Sequence, residues 1–171
     1  MKESFVEHIG PRTDPSRTVT SLDLSWRTCG VTSIEQLRTL APMGLEFWNE
    51  MGMPGKFVPE LWIESWKNLI RQGAALIIGL TKNHHLMGAI GGTIVRDLND
   101  HALVAVEQFW FVTSEARGHG LRLLNEFEAV SRARGAKRIL VGHIHAGRTD
   151  IWQKVLSRKG YVLLESHYVK S

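Results

Sequence analysis

Two features of this 171-residue chain have residue types that could do chemistry: a glutamate inside an apolar strand, and a glycine-containing turn flanked by arginines. Both lie in one stretch, Glu107-Gln-Phe-Trp-Phe-Val112 followed by Thr-Ser-Glu-Ala-Arg117-Gly-His-Gly-Leu-Arg122. Glu107 is the only acidic residue between Asp100 and Glu115. A carboxylate in such a strand must be neutral, paired or linked to water, because burying it unpaired is costly. An ion pair with Arg38 or Arg96, or an edge position in solvent, would satisfy it too. In the turn, Gly118 and Gly120 let the backbone come close to a ligand, successive N–H groups converge, and the helix that opens there adds partial positive charge. Arg117 and Arg122 bring formal charge to the same place, and a pyrophosphate is the ligand class that suits it. The same glycines also suit a plain strand-to-helix turn, and the loop alone does not choose. It is not a Walker loop, since no Gly-Lys-Ser/Thr follows, and it lacks the three-glycine spacing of a dinucleotide fingerprint.

The elements that must position these residues can be read from periodicity. Residues 1–17, with Gly10-Pro11-Arg12-Thr13-Asp14-Pro15 at their end, read as an arm ahead of a single domain over 18–171. Thr18 to Arg27 has a period-2 set that suits a strand. Thr32 and Glu35 stand at capping-box spacing before a helix with Ile34, Leu37, Leu40 and Ala41 on one face. Pro42 is expected to end or kink that helix, with a second piece from Gly44 to Met51. Pro59 suits the first position of a helix striped by Leu61, Trp62, Trp66, Leu69 and Ile70. Strands follow over 74–81 and 86–95 around the turn Lys82-Asn83-His84-His85, and a nearly continuous apolar strand runs from Ala102 to Val112. Gly118 to Arg134 is a helix whose apolar stripe is broken by Glu128. Arg138 to Ile144 is a strand, Thr149 or Asp150 caps a helix through Lys159, and Tyr161 to Val169 is a last strand. Helices that alternate with strands late in the chain imply an α/β (α+β) fold with a parallel or mixed region.

Composition narrows the class. A 43% hydrophobic and 22% charged chain is globular, and its longest apolar runs are too short to cross a bilayer, so no membrane association is expected. Met1 to Gly10 mixes Lys2, Glu3, Glu7 and His8 and does not read as a signal peptide, and the single Cys29 suits a reducing, cytoplasmic setting. The net charge of +4 favours an anionic ligand. The basic residues are spread out rather than clustered, which disfavours nucleic acid as the partner.

Taken together, Trp110-Phe-Val112, Glu115-Ala-Arg-Gly-His-Gly-Leu121, Gly135-Ala-Lys-Arg-Ile-Leu140 and Lys159-Gly160-Tyr161 resemble the GNAT superfamily of acetyl-CoA-dependent N-acetyltransferases, most closely its phage and bacterial GNAT-like members. The resemblance spans about 18–169. It implies a mixed, mostly antiparallel central sheet flanked by helices, with acetyl-CoA as co-substrate. Arg117, Gly118, His119, Gly120, Leu121 and Arg122 would occupy the pyrophosphate turn, and Phe111 and Val112 would lie where the strand backbone pairs with the pantetheine arm. Arg122 stands where the family has Gly or Ala and is expected to add a guanidinium to the phosphate site. No metal site is expected.

The resemblance also assigns Glu107 the role of base, directly or through water, because an amine attacks a thioester only when neutral. Two positions depart from the family pattern. The tyrosine that protonates the leaving thiolate is Leu156 here, and the asparagine seven residues earlier is Thr149. His143 and His145, two apart on one strand face, could supply a proton instead, although two partly exposed strand-end residues is the simpler reading. The expected acceptor is an amine, on a small molecule or a protein. The alternative is a GNAT-fold protein without catalysis that binds CoA or serves as an assembly module, for instance of a phage particle, with a homodimer or assembly contact made through the arm.

Overall fold

The computed structural model describes residues 25–142 and 149–170. Five strands form one sheet in the order β1 (Trp26–Gly30), β2 (Ala75–Lys82), β3 (His85–Arg96), β4 (Leu103–Val112) and β5 (Arg138–Leu140). The first four pair antiparallel, and β5 alone runs parallel to its neighbour, as a crossover through a helix requires. Helices α1 (Ile34–Glu50) and α2 (Pro59–Arg71) cover one face, and α3 (Gly120–Ala133) covers the other. Helix α4 (Thr149–Arg158) follows β5.

Local chemistry explains most of these boundaries. The capping residue of α1 is Ser33, one place later than expected. Its hydroxyl accepts from the Gln36 amide at 3.2 Å, and the Gln36 side chain accepts from the Ser33 amide at 3.1 Å. Helix α1 runs through Pro42 without ending. Proline removes one helical hydrogen bond, here from the carbonyl of Arg38, and both residues are exposed, so water can take the donor's place. Pro59 opens α2 as expected. Between β2 and β3, Asn83 and His84 both have positive φ (49° and 71°), the turn type whose twist matches a two-residue hairpin.

Two apolar clusters sandwich the sheet. One packs Leu76, Ile78, Leu80 and Ile90 against Leu123, Leu124 and Phe127 of α3, and the other packs Ala75, Ile77, Ala89 and Phe111 against Leu37, Leu40 and Trp66 of α1 and α2. Glu128, the polar break in the α3 stripe, receives the Tyr161 hydroxyl at 2.9 Å and the Lys159 ammonium at 3.0 Å, so it ties the corner after α4 to α3. Burial, together with this carboxylate, raises the Tyr161 pKa and keeps the ring a neutral donor.

Other expectations change at the two ends of the sheet. The first strand, described over Trp26–Gly30, runs three residues beyond the expected end at Arg27, and residues 18–24, like the arm over 1–17, lie outside the described residues. Tyr161 to Val169, expected as a last strand, pairs with no strand among the described residues. The paired part of β5 is only three residues long, its continuation over 143–148 is not described, and Val162, Leu163 and Leu164 stay exposed. Among the described residues no helix is long and apolar enough to cross a membrane.

Phe127 is fully buried, and a Cβ placed on Gly92 would meet its ring at 2.9 Å. Phe127→Ala is expected to lower unfolding free energy by about 3–5 kcal/mol, measured by denaturant titration.

Candidate active site

Strand β4 carries one residue more than β3 needs. Gly91 pairs with Phe109 and Gly92 with Glu107, which leaves Gln108 as a β-bulge. The extra residue reverses the alternation of side chains. Ahead of it, Ala105 packs on the α3 side, and Glu107 lies opposite Gly92, which also faces Phe127. Beyond it, Phe109 and Phe111 face α1 and α2, while Trp110 and Val112 take the α3 side. Gln108 turns to the α1–α2 side as well, where its amide donates to the buried Thr93 hydroxyl at 3.2 Å. A larger residue at Gly91 or Gly92 would collide with the Phe109 ring or the Val106 carbonyl, so both glycines are required by this close approach.

Glu107 stands where the sheet opens. β4 and β5 pair only over Val104–Val106 and Arg138–Leu140, so the outer edge of β4 from Glu107 to Val112 has no strand partner among the described residues. The Glu107 carboxylate bridges the start of this gap by accepting the Gly142 amide at 2.8 Å. Neither Arg38 nor Arg96 pairs with it; Arg96 donates to the His101 carbonyl instead. Burial raises the carboxyl pKa to about 7, and the Gly142 hydrogen bond opposes that shift only in part.

The turn after β4 is a single 3₁₀ turn over Ser114–Ala116, then Arg117 to His119, then α3. Gly118 has φ +94°, and open space surrounds the position a Cβ would take. The amides of Gly118, Gly120 and Leu121 donate to no group among the described residues, while those of Arg117, His119 and Arg122 close the turn on Ser114, Ala116 and His119 carbonyls. Three free amides at a helix N-terminus fit an anion such as a pyrophosphate.

The expected side chains have other partners. Arg117 pairs with Glu50 of α1 at 2.8 Å, an exposed contact that a phosphate could exchange. Arg122 donates to the Trp26 carbonyl at 3.2 Å, and the His119 ring stacks on Trp26 at 4.2 Å. Lys82 pairs with Glu115 at 2.7 Å and lies 5.2 Å from the centre of the Trp26 ring. Trp26, Lys82 and Glu115 therefore brace the turn against the far edge of the sheet, a role that no local motif signals. Gln108, Gly142 and Gly92 were equally silent; the run Gly91-Gly92 opposite an apolar strand was the one usable hint of a bulge.

Of the residues weighed as proton donors, Leu156 packs against the apolar cluster on the α3 side and has no proton to give. Trp152, one turn ahead of it, meets Trp110 at 4.8 Å, and Trp110 in turn lies against the first turn of α3. His143 and His145, and the side chain of Thr149, lie outside the described residues. No group of residues that could hold a metal occurs among the described residues.

The sequence matches no protein-family model and no curated protein. The structure, in contrast, is similar to solved acetyltransferases. A probable acetyltransferase superposes with TM-score 0.68 at 20% identity, covering 85% of this chain and 97% of that one. An aminoglycoside acetyltransferase from an uncultured soil metagenomic sample gives TM-score 0.68 at 14% identity, covering 86% and 99%. The chain has the GNAT fold. A GNAT family acetyltransferase of Staphylococcus aureus agrees at TM-score 0.62 and 20% identity, covering 86% and 99%.

Because the Gly142 amide is what restrains the Glu107 pKa, Gly142→Pro, which removes that donor, is expected to raise it from about 7. The sign for stability follows from proton binding. Between about pH 4.5 and 7 the folded protein holds a proton that the unfolded chain releases, so Glu107 makes stability fall as pH rises through that window. Glu107→Gln should flatten this fall, and paired thermal melts at pH 5 and 8 measure it.

Proposed function

We propose that this GNAT-fold chain is a cytoplasmic N-acetyltransferase that uses acetyl-CoA and transfers its acetyl group to an amine. Bound acetyl-CoA would supply the activated acetyl group as a thioester. The amides of Gly118, Gly120 and Leu121 would hold its pyrophosphate, with Arg117 released from Glu50 and Arg122 adding charge beside them. The outer backbone edge at Phe111 and Val112, on the side away from β3, would meet the pantetheine arm. Glu107 would act as the base: as a carboxylate it takes a proton from the ammonium, directly or through water, so that the nitrogen lone pair can attack the thioester carbonyl. The C–N bond forms, the C–S bond breaks, and the sulfur leaves as thiolate, which takes up the second proton that the nitrogen sheds as the amide forms. A thiolate is a tolerable leaving group near neutral pH, so Leu156 slows this chemistry without forbidding it.

The observation that carries this reading is the placement of Glu107. A carboxyl with pKa about 7 stands at the opening of the sheet in the fold shared with acetyltransferases, near the pH at which a base must work. The structural neighbours are acetyltransferases and lend the assembly-module alternative no support.

A base of this kind is active only when deprotonated. With an amine acceptor, kcat/KM should therefore rise with pH through an inflection near 7. Glu107→Gln should lower kcat about 10²-fold and remove that inflection. An unchanged pH–rate profile in Glu107→Gln would reject Glu107 as the base.

A further inference from the structure

Of the three aromatic rings on β4, Trp110 alone takes the α3 side, and it does so only because the bulge at Gln108 reverses the alternation. There the half-buried ring stands between two helices. It meets Trp152 of α4 edge to face at 4.8 Å. On its other side Nε1, Cζ2 and Cε2 lie 3.6, 3.7 and 3.9 Å from the position that a Cβ on Gly120 would take. The edge of the indole that bears the N–H therefore faces the first turn of α3. Packing accounts for the apolar body of the ring, which joins the cluster under that helix. It does not account for the N–H. This group donates to nothing among the described residues, and unlike the Trp48 Nε1–H it is not sealed from solvent.

Distance makes this donor part of the turn. A Cβ lies about 2.5 Å from the nitrogen of its own residue, so the Trp110 Nε1 and the Gly120 nitrogen are at most about 6 Å apart. At ordinary hydrogen-bond lengths of about 2.9 Å, one acceptor oxygen spans donors nearly that far apart, and the several oxygens of a phosphate do so more easily. The amides of Gly118, Gly120 and Leu121 would reach such an anion from the helix, and the indole would reach it from the sheet. The nearby guanidinium groups already have partners, Arg122 at the Trp26 carbonyl and Arg117 at Glu50. A neutral donor already held between two helices loses little freedom when it closes on a phosphate.

We propose that Trp110 is a fourth donor of the phosphate site, its indole N–H closing on a pyrophosphate oxygen of acetyl-CoA opposite the amides of the turn. The inference rests on the transferase reading above and adds to its cofactor site a residue that lies outside the glycine turn, on the strand before it.

The test titrates acetyl-CoA by calorimetry into the wild type and into Trp110→Phe, which keeps an aromatic ring and removes the N–H. Affinity should fall about tenfold, the loss that follows from one hydrogen bond to a charged group. The wild type gives a second readout, which holds even if Trp110→Phe fails to fold and which a purely structural role for the ring would not move. In its nitrogen–proton NMR spectrum the Trp110 indole N–H should shift downfield on adding acetyl-CoA, and inorganic pyrophosphate alone should move it in the same direction. Two results overturn the proposal and leave the cofactor site standing. One is a folded Trp110→Phe that binds acetyl-CoA as tightly as the wild type. The other is an indole signal that neither ligand moves while the amides of Gly118, Gly120 and Leu121 respond. A folded wild type that binds no acetyl-CoA overturns both the proposal and the transferase reading.

Discussion

One additional residue in one strand sets the geometry on which the rest of the site depends. Were β4 paired with β3 without the bulge at Gln108, the residues after Glu107 would keep the alternation set by Ala105, and Phe109 and Phe111 would point at α3 instead of α1 and α2. The bulge places Glu107 on one side of the sheet and Gln108 and Phe109 on the other at the point where β5 stops following β4. Bulges are found beside functional sites because they re-aim side chains without breaking a sheet. Here the re-aiming is stabilised from both sides. Gly91 and Gly92 give it room, and two apolar clusters each receive the ring or methyl group that the shifted alternation delivers.

The same opening explains the chemistry of Glu107. A carboxylate inside a sheet is tolerable only if some donor meets it, and the donor here is a single backbone amide, that of Gly142. One neutral hydrogen bond offsets burial incompletely, so the group keeps a pKa near neutrality. At the other end of the strand, the turn into α3 is held without using its own innermost amides. Trp26, His119, Arg122, Lys82 and Glu115 fasten it through side chains, which leaves Gly118, Gly120 and Leu121 free.

Much of this was legible in the sequence because local chemistry governs it. Pro59 at a helix start, the two-residue turn at Asn83 and His84, the apolar run of β4 and the glycine-bearing turn before α3 are each decided by a few neighbouring residues. The isolation of Glu107 among apolar neighbours was visible for the same reason. Long-range contacts were not legible. The partner of Glu107 is 35 residues away, that of Arg122 is 96 away, and that of Arg117 is 67 away, so spacing carries no trace of them. Pro42 misled because a break in the helical hydrogen bonds is harmful mainly where water cannot repair it, and exposure is not written in a local motif.

The most direct test of the central claim is a calorimetric titration of acetyl-CoA into the wild-type protein and into Leu121→Pro. Proline is accepted in the first turn of a helix, so this change deletes one of the three free amides and spares α3, which a thermal melt can verify. Micromolar-range binding by the wild type, weakened about tenfold or more in Leu121→Pro at unchanged melting temperature, is the expected result. A well-folded wild type that takes up no acetyl-CoA, or binding that Leu121→Pro leaves untouched, would contradict the assignment of this turn as the cofactor site.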